Sequence, residues 1–264
     1  MDDGLIFKGT MQNVILQVEK VVKTFPRRVS GTVICDGVQL EYVDLHSFYY
    51  QAKQIFNEKL YDFDIEKQAP RIIDCGAHIG LATLYFYRKF PDAVITSFEA
   101  DPNIFKVLKK NINAMGLSDK GTKNQAVWIS DNGVSFNSTS DDSGYVSDDG
   151  IKVPSIRLHD LLADEVEVDL LKLDIEGAEF AVIDDCVDML HKVKHVIVEG
   201  HILKDQSNFP SKLGQMLAKF ETIGMKYVLS DLHSATWIKG KQKPPFHSIK
   251  SDRYICSVFA WWEE

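Results

Sequence analysis

Ten residues constrain this chain more than any others: Arg71 to Gly80, RIIDCGAHIG. Arg71, Ile72 and Ile73 open a short apolar run that ends in Asp74 and reads as a buried strand. Gly76 follows where the chain must turn sharply, because a residue without Cβ adopts φ > 0 at little steric cost. Gly80 is expected in the first turn of the next helix, where a missing side chain lets helix and strand pack closely. The exposed N–H groups of that turn favour a negatively charged ligand group. Ala93 to Phe98 (AVITSF) is a second strand-like run, and it ends in Glu99. An acidic residue about 20 residues past a glycine turn, at the end of the next strand, is placed to bind ribose hydroxyls. The expectation is a nucleoside cofactor lying across the carboxyl ends of two parallel strands.

From Arg71 onward strand-like and helical patterns alternate, which implies an α/β fold with a parallel sheet and helices on both faces. A helix is expected to about Lys89, and another from Pro102 to near Met115-Gly116. A third strand is expected over Asn124–Ile129, a hairpin of Val134–Phe136 with Ile151–Ile156, and a short helix near Leu158–Ala163. The polar, acidic stretch 137–150 between the hairpin arms reads as an exposed loop or lid. Strand four is Leu170–Leu173, strand five His195–Val198, and strand six Lys226–Leu229 after a helix over Pro210–Ile223. A last strand, Tyr254–Trp261, follows without a helix and should pair antiparallel. Upstream, Met11–Val22 forms an amphipathic pattern, Asp36-Gly37 marks a hairpin turn, and Ser47 would cap a helix to Leu60. Residues 1–68 are therefore taken as an N-terminal cap packed on a main domain of residues 69–264.

With 264 residues, 45% of them hydrophobic, the chain can build a sizeable core. A net charge of −8 argues against a surface that coats nucleic acid. The four cysteines, Cys35, Cys75, Cys186 and Cys256, lack metal-ligand spacing and are expected to be reduced. The MDDG start lacks the basic and apolar segments of a signal peptide. No run approaches the roughly 20 apolar residues of a membrane span. A soluble, cytoplasmic protein is the expectation, and nothing in the sequence specifies an oligomeric state.

His78 occupies the second position of a G-x-G-x-x-G pattern, where a diphosphate needs close backbone approach. That disfavours an NAD-dependent oxidoreductase and favours a cofactor without a pyrophosphate, such as S-adenosylmethionine. LLKLDIEGAEF (170–180) places Asp174, Glu176 and Glu179 at a strand's carboxyl end, where open α/β sheets bind ligands. Acids that complement a helix dipole, worth roughly 0.3–1 kcal/mol each, account for Glu176 and Glu179 but not for Asp174. VIVEGH (196–201) repeats the arrangement on the next strand with Glu199 and His201.

Taken in order, IIDCGAHIG, SFEADP, NQAVW, LLKLDIEGAE and VIVEGH resemble the FkbM-type family of S-adenosylmethionine-dependent methyltransferases, over Arg71 to His201. The resemblance implies a Rossmann-like, class I methyltransferase fold: seven strands in the order 3-2-1-4-5-7-6, with strand 7 antiparallel. It implies that the turn carrying Asp74, Gly76, Ala77, His78 and Gly80 holds the methionine part of the cofactor, and that Glu99 holds the ribose hydroxyls. Ala100, Asp101 and Asn103 would border the adenosine, and Gln125, Ala126 and Val127 would line the adenine. Asp174 would lie beneath the methionine amino group or the reacting methyl, and Tyr61 would close over the cofactor. The implied reaction is O-methylation of a hydroxyl on a sugar, glycan or other small metabolite. Asp174, Glu176, Glu199 and His201 are candidate bases for the acceptor proton, Glu176 and His201 foremost. No metal is expected, although Asp174, Glu199 and His201 could form a divalent site. The basic run KGKQKPPFHSIKSDR (239–253) could attract an anionic substrate or could simply be a solvated loop. A non-catalytic module that retains the cofactor fold is the remaining alternative.

Overall fold

The computed structural model describes residues 6–139, 144–146, 149–202, 209–230, 233–234 and 254–263. Its central sheet is built from β1 (Arg71–Cys75), β2 (Val94–Phe98), β3 (Thr122–Lys123), β4 (Val168–Leu173), β5 (Val193–Ile202), β6 (Met225–Leu229) and β7 (Tyr254–Trp262). The spatial order is β3-β2-β1-β4-β5-β7-β6. β1 is parallel to β2 and β4, β4 to β5, and β2 to β3, while β7 runs antiparallel to both β5 and β6. This is the parallel-dominated sheet that the alternating pattern implies, in the strand order that the resemblance implies. His233–Ser234 adds a short antiparallel pairing on β7.

The central strands are apolar on both faces because helices cover both. All six residues of β4 are buried. Alternation along each strand sends Ile72, Leu170 and Ile197 to one face and Ile73, Leu171, Val196 and Val198 to the other. The second face packs against the helix α3 (Glu179–Cys186) and the helix α4 (Phe209–Ile223). The first face shares a continuous core with α1 (Leu81–Lys89) and with the N-terminal elements, through Met11, Val14, Val18, Leu40, Leu45 and Phe48.

Those N-terminal elements are the strand Phe7–Gly9, the helix Met11–Glu19, the hairpin of Gly31–Cys35 with Val38–Tyr42, and the helix Leu45–Ala52. Asp36 and Gly37 both take positive φ, as the hairpin signal requires. The cap of the second helix is Asp44, not Ser47: the Asp44 carboxylate accepts the Ser47 N–H at 2.9 Å. That helix ends in a wide turn over Lys53–Asn57.

Two strands differ from expectation in ways that shape the site. The third splits. Thr122–Lys123 pairs with β2, and then the Asn124 side chain donates to the Glu99 and Ala100 carbonyls at 2.8 and 3.1 Å. This tether swings Ala126–Trp128 out of the sheet to pair parallel with Ser155–Arg157. The fifth overruns its expected end. β5 continues to Ile202 because β7 pairs with it throughout, Glu199 opposite Ser257 and His201 opposite Ile255. The hairpin of Val134–Asn137 with Ile151–Val153 forms as expected, and Tyr145–Val146 joins its other side. The remainder of the 137–150 stretch and the 239–253 run lie outside the described residues, apart from Ser138, Thr139, Gly144, Asp149 and Gly150. All four cysteines are free and buried.

Candidate active site

The turn after β1 is shaped by contacts that tolerate no side chain at Gly76. Its φ is +82°, and a Cβ there would fall far inside contact distance of the Asp174 carbonyl oxygen. The Gly76 and Ala77 amides donate to the Phe98 carbonyl at 3.0 and 2.9 Å, which ties the turn to the end of β2. His78 follows with φ +49°. Its ring Nδ1 lies 2.9 Å from the side-chain oxygen of Gln51, brought in from the N-terminal helix.

Glu99 closes this corner. One carboxylate oxygen accepts the His78 amide at 2.9 Å and the other the Asp101 amide at 2.8 Å. Burial pushes the carboxyl up to about 7, against the opposing pull of those two N–H groups. Asp101 caps α2 (Pro102–Ala114), accepting the Asn103 and Ile104 amides at 2.8 and 3.3 Å, and also accepts a hydrogen bond from Ser138 of the hairpin.

A cleft opens at the carboxyl ends of β1, β2 and β4, lined by Gly76, His78, Glu99, Ala100, Asp101, Gln125, Ala126, Asp174 and Glu176. The apolar remainder of its wall is Phe98, Ile104, Val127, Ile175 and Ala178, with Phe136 and Val146 from the hairpin. Most of the expected cofactor residues are therefore gathered in one place. Five are not in the wall, among them Asn103, whose amide donates to the Asp101 carboxylate at the start of α2. Asp74 is fully buried beneath it, 3.1 Å from the Lys172 ammonium and accepting from the Thr83 hydroxyl at 3.2 Å. Ala77 packs inward against Leu108 and Ile112. Gly80 is the left-handed cap of α1 rather than part of its first turn, and the side chain it lacks would meet Leu108 on α2 rather than a strand. Tyr61 is 4% exposed and forms no part of the wall; its hydroxyl reaches Asp174 at 3.1 Å and Glu199 at 3.3 Å.

Beside the cleft, β4 and β5 bring the acids together. His201 is 6% exposed and has carboxylates on every side. Its Nδ1 is 3.1 Å from Glu179 and 3.9 Å from Asp174, and its Nε2 is 3.6 Å from Glu199 and 3.7 Å from Glu176. Burial alone would lower its pKa, yet Glu176, Glu179 and Asp174 outweigh burial and raise it well above the usual histidine range. The carboxylates thereby favour the imidazolium form, which weighs against His201 as a general base. Glu179 is buried and serves the loop instead, accepting the Ile175 and Gly177 amides at 3.0 and 2.9 Å. Glu199 is raised to about 7, first by burial and then by Asp174.

Lys172 lies under all of this. It is the one charge within the apolar LLKL run, 2% exposed, and it donates to the Gly76 carbonyl at 3.0 Å while facing Asp74 and, at 3.6 Å, Asp174. Its position inside a buried strand was a readable signal that the motif reading passed over. Gln51 offered no such signal.

Residues 74–227 match the family model described as the methyltransferase FkbM domain. The chain belongs to the FkbM methyltransferase family. It is an S-adenosylmethionine-dependent methyltransferase, and the oxidoreductase alternative falls. Methyltransferase sdnD of Sordaria araneosa is 29% identical over 189 residues, covering 56% of this chain and 72% of that protein. Methyltransferase 1 of Beauveria bassiana is 36% identical over 66 residues, 25% of this chain and 26% of that one. Among solved structures, the methyltransferase FkbM of Methylobacillus flagellatus superposes with a TM-score of 0.47 at 15% identity, covering 81% of this chain and 51% of that one. No helix among the described residues is long and apolar enough to cross a membrane.

The cleft suits the family's cofactor on its own chemistry. It combines an apolar slot with a buried carboxylate that can accept hydrogen bonds from two hydroxyls, and an acidic end that suits a cationic group.

Proposed function

We propose that this FkbM-family chain methylates a hydroxyl oxygen on a sugar, glycan or other small metabolite. The observation that carries the reading is the run of carboxylates from β4 and β5 that adjoins the cofactor cleft, with Asp174 and Glu176 in its wall. An alcohol must shed its proton as its oxygen attacks, and a carboxylate beside the reaction centre can take it. Bound in the cleft, S-adenosylmethionine supplies an electrophilic methyl carbon. Glu99 receives the ribose hydroxyls; Ala100, Asp101, Gln125, Ala126 and Val127 flank the adenosine; Gly76 and His78 border the methionine end. Asp174 takes the acceptor proton. Glu176, paired to the His201 imidazolium, holds the acceptor beside it. Mass spectrometry after incubation with isotopically labelled cofactor and a panel of sugar and glycan acceptors tests the reading. Label on an acceptor oxygen is expected; label on nitrogen or carbon overturns it.

Glu99 makes cofactor affinity depend on pH. Ribose hydroxyls donate to the ionised carboxylate, so affinity for S-adenosylhomocysteine should be constant above about pH 7 and fall below it, by up to about tenfold per pH unit. Glu99→Gln should bind more weakly by roughly 1–3 kcal/mol and lose most of this dependence. For folding the sign is opposite. A carboxyl whose folded value is raised contributes its stability in full below the unfolded value, and loses it as pH rises toward about 7. Calorimetry across this range separates the two, and an unchanged affinity would remove Glu99 from the site.

We also propose that the site takes no metal. Asp174, Glu176 and His201 bring their polar atoms within 4.8 Å of one another, but His201 Nδ1 already meets Glu179 at 3.1 Å and its Nε2 faces Glu199 and Glu176, so the imidazole is engaged as an ion-pair partner of the acids rather than turned to a shared centre. Treatment with a chelator should leave S-adenosylhomocysteine affinity and turnover unchanged. Loss of turnover that a divalent ion restores would reverse this assignment.

A further inference from the structure

Tyr61 stands between two carboxylates with one proton to give. Its hydroxyl oxygen is 3.1 Å from Asp174 Oδ2 and 3.3 Å from Glu199 Oε2. A phenol has a single O–H, so one hydroxyl cannot fully satisfy two ionised acceptors at once. Asp174 lines the cleft, whereas Glu199 lies behind it on β5, so the phenol joins a carboxylate at the reaction centre to one set back from it. The ring is fixed in place: Lys172 Nζ sits 5.1 Å from its centroid, Phe86 packs at 6.5 Å, and the side chain is buried.

We propose that Tyr61 is a proton relay that passes the proton taken up by Asp174 on to Glu199. The inference rests on the hydroxyl-methylation reading, since only an acceptor that loses a proton needs such a path. As the acceptor O–H bond breaks, its electron pair stays on the acceptor oxygen and its proton goes to Asp174. Asp174 then gives its proton to the Tyr61 oxygen while the Tyr61 O–H proton moves to Glu199 Oε2. Asp174 and Tyr61 end as they began, and the net change is one O–H bond broken on the acceptor and one formed on Glu199.

The surrounding charges fit this direction. Glu199 faces Asp174 and Lys172 from β4, Glu179 from α3, His201 from its own strand and Tyr61 from the N-terminal segment; Glu176 acts on it through His201. Burial and Asp174 hold Glu199 near 7, where it can take a proton at neutral pH and release it again. Burial, with Asp174 and Glu199, raises the phenol well above its ordinary range, so Tyr61 does not itself ionise and the two transfers are concerted.

Infrared titration of the ligand-free protein tests the relay. Glu99 is also held near 7, so the titration is read in a Glu99→Gln background: there a protonated-carboxyl band should disappear through about pH 7, and adding Glu199→Gln should remove it. Tyr61→Phe removes the hydroxyl and little else. It should shift the band's midpoint upward by about one unit, since a donor to the ionised form is gone. It should also keep S-adenosylhomocysteine affinity within about twofold, which separates the relay from a role in holding the cofactor. With an acceptor found by product analysis, Tyr61→Phe should lower kcat at least about tenfold and reduce the solvent isotope effect. In the Glu99→Gln background a band that survives Glu199→Gln or a midpoint that does not move in Tyr61→Phe overturns the relay, as does an undiminished kcat when Tyr61→Phe is the sole substitution. Methyl label on nitrogen or carbon would sink the hydroxyl reading instead, and the infrared result would still report whether Tyr61 and Glu199 share a proton.

Discussion

Gly76→Ala is expected to destabilise the protein by roughly 2–5 kcal/mol and to abolish cofactor binding. Two costs add. A non-glycine residue at φ +82° costs about 1–2 kcal/mol. The added methyl group then drives into the Asp174 carbonyl, a backbone atom that cannot rotate away, and overpacking of this kind costs roughly 1–3 kcal/mol. Relief requires β1 and β4 to separate just where Asp174 N donates to the Cys75 carbonyl at 3.1 Å and where the Gly76 carbonyl holds Lys172. The disturbance therefore spreads to the cleft wall and to the charge beneath it. Denaturant midpoints and S-adenosylhomocysteine calorimetry measure the two consequences. A variant within about 1 kcal/mol of wild type that still binds would show that the turn is not as tightly determined as its contacts imply. Gly37→Ala is the control: its φ is also positive, at +81°, but a Cβ there meets nothing within 4 Å, so only the conformational cost applies.

That contrast shows what was legible in the sequence. The glycine turn, the acids at strand ends and the alternation of strands and helices come from local pattern: an apolar run, a residue without Cβ, a charge where burial ends; the order of the strands came only from the family resemblance. Each is visible within about ten residues, so they could be placed before any coordinates were known. What escaped depends on partners far along the chain. Glu199 and His201 read as residues beyond a strand, yet they lie within β5 because Ser257 and Ile255 on β7 extend the ladder. Ala126–Trp128 carries a strand pattern and is a strand, but the Asn124 side chain bonds back to Glu99 and Ala100 and diverts it to the cleft wall. Such a bond leaves no periodic trace. Tyr61 was recognised as a site residue, but not by the contacts it makes. No pattern reveals that its hydroxyl reaches Asp174 and Glu199, which are 113 and 138 positions away. What acts on His201 is also non-local: its ordinary pKa suggests a base, but three of the four carboxylates beside it are contributed by the segment that follows β4 and by α3, and their assembled field raises its pKa.

Asp174→Asn is expected to lower kcat by about 10²–10⁴ while leaving the fold intact. The amide fills the same volume in the cleft wall and can still accept from the Tyr61 hydroxyl, so the relay geometry survives, but it cannot take a proton. The loss corresponds to roughly 3–5 kcal/mol of barrier. Lys172 loses one counter-charge at 3.6 Å and keeps Asp74 at 3.1 Å, so the buried ammonium stays compensated and stability should fall only modestly. Glu176→Gln should behave differently. It also lines the cleft, but its carboxylate answers the His201 imidazolium at 3.7 Å, so its loss should raise the acceptor KM more than it lowers kcat. Steady-state kinetics on both variants, with S-adenosylhomocysteine affinity as the check on cofactor binding, assign the roles. If Asp174→Asn keeps its turnover and loses its cofactor affinity, Asp174 holds the cofactor's cationic end. If Glu176→Gln is then the variant that loses kcat, the proton leaves through Glu176 and the path through Tyr61 carries none of it.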